Sequence, residues 1–341
     1  MKKILSLMLA ILLVLGLCAC GGGGEAEPAP ETEPVKAGIP KKDTLKVLTL
    51  GHSLAVDSNH MLALVANAEG YTGLTVATLY YSGCPLYKHV EFLTGNKPEY
   101  DLYISNSANP APPTVMMDVT MYDALRHDNW DVIVIQAGVF EIAKDETFTS
   151  DNLKTIMDYV KKTAFNKDLV FVWNMTWVPP VDRELMEQYP YSPNSYESGY
   201  LVYGYDRANM YNNVTRCVSE YILTNEEFVA MIPSGTVMEN ALSSYMVEKD
   251  IHRDYVHASD YTRVATAYAW YCTLLGIDSI SEVKMDTIPT KYFRSLTGLQ
   301  DYVFSDAEKD LLIESVNNAL AKPLEMTQSQ YTVAPADYIA K

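Results

Sequence analysis

Three residues at two distant points of the chain are of the types that form a Ser-His-Asp triad. Ser53 follows an apolar run at residues 45–50, and Asp254 precedes His257 by three positions. A neutral imidazole can take the proton of a serine hydroxyl, and a carboxylate on the other ring nitrogen stabilises the imidazolium that forms. Because the fold brings triad members together, their separation in sequence is no obstacle. The pattern predicts Ser53 as nucleophile, His257 as base and Asp254 as the group that orients the base.

Strands that are unbroken apolar runs alternate with helical stretches through most of the chain. The predicted strands are residues 47–50, 74–80, 131–136, 169–173 and 228–232, and the main predicted helices are 59–69, 152–162, 206–223 and 261–275. Continuous apolar strands are typical of parallel sheets covered on both faces. We therefore predict an α/β fold with three α/β/α layers, a mainly parallel central sheet and long aromatic-rich loops. The proline-rich stretch 110–113 predicts an irregular region around it.

Polar or small residues follow several of these strands. Ser53, Gly83, Gln136 and Asn174 each lie at or just after the end of a predicted strand. In open α/β sheets, ligands bind beyond the carboxyl ends of the strands. The coincidence predicts one shared site, although Asn174 has the alternative role of satisfying polar groups at its own strand end.

These segments resemble the SGNH/GDSL hydrolase superfamily, and most of all a bacterial branch of exported proteins with no assigned function. The similar segments are residues 48–53, 81–84, 173–177, 232–236 and 254–257. His52 stands where this superfamily usually has Asp or Asn. The resemblance spans most of residues 45–330, and it implies a flavodoxin-like α/β/α serine esterase that needs neither a cofactor nor a metal.

The resemblance also implies an oxyanion hole made from the backbone N–H groups of Ser53 and Gly83. The superfamily normally adds an asparagine side chain, but Phe140 occupies that position here. We expect the amide of Gln136 to replace it, the alternative being that Gln136 only caps the edge of its strand. Loss of one oxyanion donor typically raises the barrier by ~2.7–4 kcal/mol. Asn174 and Trp177 complete the predicted substrate-binding residues.

The pattern at the N-terminus predicts an export and anchoring segment. A charged start and an apolar stretch precede Cys20, which has small residues before it as in a bacterial lipobox. We predict a lipoprotein signal peptide at residues 1–19 and a lipidated Cys20 at the start of a disordered tether, residues 20–44. An ordinary secretory signal or a short membrane anchor is the alternative. The hydrolase-like domain would then span residues 45–330, with a tail at 331–341, on the extracytoplasmic face of the cell membrane.

Charge and cysteine content exclude several classes of function. The formal net charge of −17 argues against nucleic acid as a partner and against docking on anionic lipid headgroups. Cys84, Cys217 and Cys272 are odd in number and have no metal-ligand spacing, so we predict no metal site and assume no disulfide.

Tyrosines are abundant, 25 of 341 residues, and they concentrate in a long segment at residues 179–205. Those of this segment are Tyr189, Tyr191, Tyr196, Tyr200, Tyr203 and Tyr205. The segment suits either a cleft wall that stacks on sugar rings or an amphipathic lid. We expect an esterase that removes acetyl or other short acyl groups from a glycan. The alternatives are a catalytically inactive relative that binds glycan or peptide, and a solute-binding lipoprotein that serves a transporter.

Overall fold

The computed structural model describes residues 39, 42–139, 141–181, 206–289, 301–336 and 338. The predictions for Cys20, for nearly all of the tether, for Phe140 and for the tyrosines of the 179–205 segment fall outside these residues. The described residues lie within one compact unit, Lys36–Lys341. In this part of the chain, none of the helices has both the length and the apolar character needed to cross a membrane.

A seven-stranded sheet forms the centre of the fold. Its strands are β1 (Leu45–Gly51), β2 (Leu74–Tyr80), β3 (Tyr100–Asn106), β4 (Thr114–Val119), β5 (Val132–Ile135), β6 (Val170–Asn174) and β7 (Phe228–Ile232). The strand order is β4-β3-β2-β1-β5-β6-β7. The five strands from β2 to β7 in this order pair in parallel, whereas β3 is antiparallel to both β2 and β4. This topology confirms the predicted fold class.

The antiparallel pair β3 and β4 corrects the prediction of an irregular region. Five of the six residues of β4 are exposed, and β3 mixes buried with half-buried positions. Neither strand therefore carries the continuous apolar run that identified the parallel strands. The proline-rich stretch 110–113 lies in the turn between them, where prolines do not interrupt a hydrogen-bonded ladder.

Helices cover both faces of the sheet. They are α1 (Ser53–Ala68), α2 (Leu86–Gly95), α3 (Met121–His127), α4 (Asp145–Thr149), α5 (Asn152–Thr163), α6 (Arg207–Cys217), α7 (Ser234–Leu242), α8 (Glu248–Ile251), α9 (Asp260–Leu275) and α10 (Asp306–Ala321). A π-helical turn, Val218–Ile222, extends α6, and a two-stranded ribbon joins β8 (Thr287–Ile288) to β9 (Tyr302–Val303).

Alternate residues of each central strand enter two separate hydrophobic cores. Val47 packs in the core that contains α1, α7, α9 and α10, and its neighbour Leu48 packs in the core that contains α2, α3, α5 and α6. This alternation is the period of two expected for a strand buried on both faces. The sheet is thereby fixed between two layers, and its carboxyl-end loops have rigid supports.

Helix α1 begins at Ser53, whereas the sequence pattern placed its start at residue 59. The difference arises because a run of polar residues inside the helix is buried, which hides its apolar periodicity. These buried polar residues are Asp57, Ser58, Asn59 and His60. Ser53 is therefore the first residue of a helix rather than part of an open turn.

All three cysteines of the described residues are buried free thiols: Cys84, Cys217 and Cys272. From the sequence we assumed no disulfide among them.

Candidate active site

Ser53 is placed by an abrupt change from strand to helix. Strand β1 ends at Gly51, and α1 starts two residues later. A Cβ atom on Gly51 would lie 2.7 Å from the Cβ of Ala55 and 3.3 Å from Oε1 of Gln136, so only glycine permits this close packing. The turn leaves Ser53 half-buried at the carboxyl end of the central strand.

His52 caps the helix that Ser53 begins. Its Nδ1 accepts a hydrogen bond from the Leu54 N–H at 3.4 Å, and its Nε2 lies 3.0 Å from the carbonyl oxygen of Ala137. Burial lowers the pKa of His52 to about 4, so the ring is neutral at neutral pH, with Nε2–H donating to Ala137. The histidine therefore does what an Asp or Asn cap would do, and it also ties Ser53 to the loop after β5.

The structure brings Ser53, His257 and Asp254 into one hydrogen-bonded chain. The Ser53 hydroxyl lies 2.8 Å from His257 Nε2, and His257 Nδ1 lies 2.8 Å and 3.0 Å from the two carboxylate oxygens of Asp254. The side chains of His257 and Asp254 are 18% and 15% exposed, so the chain of bonds is sheltered but reachable. This is the geometry of a general base aligned between a nucleophile and an orienting acid.

Asp254 is held in its ionised form. Burial by itself would raise the pKa of its carboxyl group, but the hydrogen bond and the charge of His257 outweigh this and bring the pKa below its usual range. The backbone N–H groups of Val256 and His257 also donate to Asp254, at 2.9 and 2.8 Å. One carboxylate thus orients both the histidine ring and the turn that carries it.

Trp177 supports this turn from the core, which corrects its prediction as a substrate-binding residue. Its side chain is fully buried, and its indole N–H donates to the carbonyl of Val256 at 2.7 Å. A buried tryptophan needs a partner for its N–H, and the turn supplies one. In this position the ring braces the segment between Asp254 and His257 and offers no face to a ligand.

Asp57 anchors the two ends of the same turn to helix α1. Its carboxylate, 1% exposed, accepts hydrogen bonds from Arg253 Nη1 at 2.7 Å and from the Ala258 N–H at 3.0 Å. Arg253 and Ala258 directly flank the segment from Asp254 to His257. Asp57 therefore joins the helix that carries Ser53 to the turn that carries His257.

A second guanidinium completes the environment of Asp57. Arg263 of α9 donates to it through Nε at 2.9 Å and Nη2 at 2.8 Å. Burial would raise the pKa of Asp57, but the charges of Arg263 and Arg253 lower it below the usual value. Sequence reasoning gave these arginines no role, because no local pattern pairs residues so far apart along the chain.

Two backbone N–H groups are free to bind an oxyanion. Gly83 has a left-handed φ of 60° in a turn closed by the Cys84 N–H to the Tyr81 carbonyl at 3.2 Å. The Tyr81 N–H in turn donates to the Gly51 carbonyl at 3.4 Å, so this turn lies beside the start of α1. Among the described residues, the N–H groups of Ser53 and Gly83 have no acceptor.

Gln136 lies at the end of β5 with its side chain fully buried. Its backbone N–H donates to the Leu50 carbonyl at 3.3 Å, but within the described residues neither atom of its side-chain amide has a hydrogen-bond partner. The amide therefore does not satisfy the strand edge, which was the alternative to an oxyanion role. It lies close to Gly51, two residues before Ser53.

Asn174 is part of a buried network behind the sheet end. Its Oδ1 accepts from the Ser234 hydroxyl at 2.7 Å, and that hydroxyl accepts from the Trp270 indole N–H at 3.2 Å. These bonds join β6 to α7 and α9. This arrangement favours the structural alternative for Asn174, although its Nδ2 has no partner in the described part of the chain.

The described residues contain no group of three or more His, Cys, Asp or Glu side chains placed to hold a metal ion. The buried thiol of Cys84 lies next to Gly83, and burial raises its pKa far above the ordinary thiol value. A thiol with a raised pKa is a poor nucleophile, so Ser53 is the group suited to attack at this site.

Comparison with known proteins identifies the family and the fold. No curated protein matches the chain. A DUF4886 family protein from Bacteroides uniformis is similar in structure, with a TM-score of 0.66, 21% sequence identity, and coverage of 84% of this chain and 98% of the other. A proposed SGNH hydrolase from Slackia heliotrinireducens has a TM-score of only 0.40 and 16% sequence identity, with coverage of 68% of this chain and 99% of the other. Residues 46–294 match the family model described as a domain of unknown function, and the chain therefore belongs to the DUF4886 family.

Proposed function

We propose that this protein is an SGNH-type serine esterase. The observation that carries the proposal is the hydrogen-bonded chain from Ser53 through His257 to Asp254. In the first step, Oγ of Ser53 attacks the ester carbonyl carbon while Nε2 of His257 takes the hydroxyl proton. The tetrahedral intermediate collapses, and the alcohol leaves with the proton returned by His257. Water, activated by the same histidine, then hydrolyses the acyl-serine and releases the carboxylic acid.

The oxyanion of both intermediates would be stabilised by the N–H groups of Ser53 and Gly83. Both are unpaired among the described residues, and the former opens a helix, where the helix dipole adds to the stabilisation. The buried and unpartnered amide of Gln136 supports its role as third donor. A small movement of its loop would be needed to bring the amide to the substrate, because the side chain is fully covered.

The proposed substrate is an acetyl or other short acyl ester on a glycan, and no cofactor is required. The support for this choice is the lipobox-like segment before Cys20, which would place the site on the extracytoplasmic face of the cell membrane, among wall and environmental polysaccharides. The membrane contact would be made through the lipid on Cys20. The acidic net charge gives no basis for a nucleic-acid partner.

A catalytically inactive relative that binds glycan or peptide is the second candidate. Two observations favour it: Phe140 stands where the superfamily normally has the asparagine of the oxyanion hole, and Gln136 is fully buried. A solute-binding lipoprotein would show two comparable lobes, whereas the described strands form one seven-stranded sheet and a small ribbon. The lipobox-like segment and the acidic net charge suit that third function, but the arrangement of the described strands does not.

Labelling of the full-length protein with a fluorophosphonate tests the proposal. We expect one modified residue, Ser53, with the label absent in Ser53→Ala and His257→Ala and retained in a matched control, Ser279→Ala, whose serine is exposed and distant in sequence from the triad. Circular dichroism would establish that each variant is folded. A folded wild-type protein that takes up no label would refute the esterase and favour the binding-only relative.

A further inference from the structure

A cavity of about 490 Å³ lies against the proposed oxyanion hole. Gly83, whose N–H is a proposed oxyanion donor, forms part of its wall, and Gly138 from the loop after β5 forms another part. Binding sites for small ligands typically enclose ~300–1,000 Å³, so the space is large enough for a ligand the size of one or two sugar rings. Gly83 is thus the residue that the cavity shares with the proposed oxyanion hole.

Glu141 fixes the walls of the cavity. Its Oε2 accepts from the Leu86 N–H at 3.0 Å and from the Gly138 N–H at 3.2 Å, which locks the loop after β5 onto the start of α2. A Cβ on Gly138 would lie 3.3 Å from Cα of Pro85, so the two backbones are in close contact. The Oε1 atom of Glu141 has no hydrogen-bond partner among the described residues. The cavity is therefore preformed, with an acceptor available in it.

Three more side chains supply donors and an aromatic surface. Lys144 is half-buried and has no carboxylate partner within 4 Å among the described residues, although the chain carries 43 acidic residues. Asn152 adds an amide that both donates and accepts. Tyr87 is 58% exposed, so its ring offers an open face. An acceptor, a cationic donor and an amide around an aromatic ring match the hydroxyl groups and the apolar ring face of a sugar.

The charges of the cavity select against an acidic ligand. Two carboxylates, Glu141 and Glu146, line it against the single cation Lys144. A carboxylate or phosphate on the ligand would be repelled by the excess negative charge. A long acyl chain is also a poor fit, because it would bury these charged groups without giving them partners.

We infer that this cavity binds the alcohol part of the ester substrate, and that this part is a neutral sugar. The ring lies against Tyr87, and its hydroxyl groups bond to Glu141, Lys144 and Asn152. The inference rests on the proposed esterase, because the cavity is connected to the reaction through Gly83, the proposed oxyanion donor in its wall.

The first test compares two acetyl esters that differ only in the alcohol. We would measure kcat/KM for 6-O-acetylglucose and for ethyl acetate, whose alcohol is too small to fill the cavity. We take the ratio of kcat/KM for 6-O-acetylglucose to kcat/KM for ethyl acetate. Lys144→Met is expected to lower this ratio about tenfold or more, and Tyr87→Ala is expected to lower it about fivefold. The control Lys162→Met, an exposed lysine of α5, should keep the wild-type ratio. Unchanged ratios in both cavity variants would overturn the inference, as would an equal or higher kcat/KM for an acetylated glucuronic acid in the wild type.

A binding measurement separates failure of this inference from failure of the esterase. Saturation-transfer NMR with 6-O-acetylglucose and the full-length Ser53→Ala variant detects binding without turnover. We expect a signal that is lost when Tyr87→Ala or Lys144→Met is added. If the wild type hydrolyses neither ester but this signal is present, the esterase fails and the sugar site stands. If Ser53→Ala gives no signal, the sugar site is refuted.

Discussion

Replacing Asp57 by asparagine tests whether helix α1 positions His257, the proposed general base. The carboxylate of Asp57 is 1% exposed and accepts hydrogen bonds from Arg253, Arg263 and the Ala258 N–H. Asparagine keeps the shape but removes the charge, and its NH₂ group cannot accept a hydrogen bond. Removing one partner of a buried ion pair typically costs about 3–5 kcal/mol.

The expected loss lies at the lower end of that range, at about 3 kcal/mol of unfolding free energy. Arg253 is 19% exposed and can be hydrated, and Arg263 keeps Asp260 as an ionic neighbour at 3.5 Å. We expect a larger effect on the position of the turn at residues 254–257 than on the global unfolding free energy. Arg253 and Ala258 flank the segment that sets the 2.8 Å distance between Ser53 Oγ and His257 Nε2. A misplacement of about 1 Å costs about 100-fold in rate, so we expect fluorophosphonate labelling to slow by that factor.

Urea unfolding followed by circular dichroism gives the first quantity, and the labelling rate of the folded protein gives the second. The rate is compared at a urea-free condition in which both proteins are folded. Asp158→Asn is a matched control, because its carboxylate pairs with Lys154 but is 50% exposed, and such pairs contribute little. A variant that loses stability but labels at the wild-type rate would refute the positioning role of Asp57. A variant with unchanged stability would refute the buried ion pair as well.

Three further predictions concern buried groups. Burial lowers the pKa of His52 to about 4 and those of His60 and His89 to about 3. Below about pH 6.5 the unfolded chain therefore binds protons that the folded chain does not, and the unfolding free energy falls as the pH falls, by roughly 1 kcal/mol for each of the three histidines between pH 6 and pH 5. His89→Gln should reduce this loss by roughly a third in urea unfolding, and an unfolding free energy independent of pH between pH 6 and pH 5 would contradict the argument. Trp177→Phe leaves the Val256 carbonyl unpaired, so we expect a loss of about 1–3 kcal/mol and slower labelling of Ser53, whereas Trp270→Phe should cost similar stability without slowing the labelling. A thiol reagent followed by peptide mapping should modify Cys84, Cys217 and Cys272 only after denaturation, and a disulfide between any two of them would show as an unmodified pair.

The fold was predictable where burial on both faces made the strands continuous apolar runs. The limits predicted for β2 and β7 agree with the structure. Strand β4 was not predicted. It lies at the edge of the sheet and its first five residues are exposed, so it has no buried face that would leave an alternating pattern in its sequence. The antiparallel edge of the sheet therefore could not be read from hydrophobicity.

The residues of the candidate triad were predictable because their chemistry restricts them to a few types. The residues that support the triad could not be predicted. Asp57 is separated from Arg253 by 196 residues and from Arg263 by 206, and a buried carboxylate inside a helix has the same sequence appearance as an exposed one. Trp177 was predicted to face a ligand because an aromatic residue suits both a cleft wall and a core, and only the packing distinguishes these positions.

Helix α1 links the two parts of the candidate triad, which are far apart in sequence. Ser53 and Asp57 are four residues apart, which places them on the same face of the helix, one turn from each other. The first bonds to the ring of His257, and the second holds the backbone that carries this ring. A shift of α1 against the sheet would therefore move the nucleophile together with the anchor of its base, and the distance between Ser53 and His257 would change little. The coupling therefore lies within helix α1, because Ser53 and Asp57 belong to the same helix.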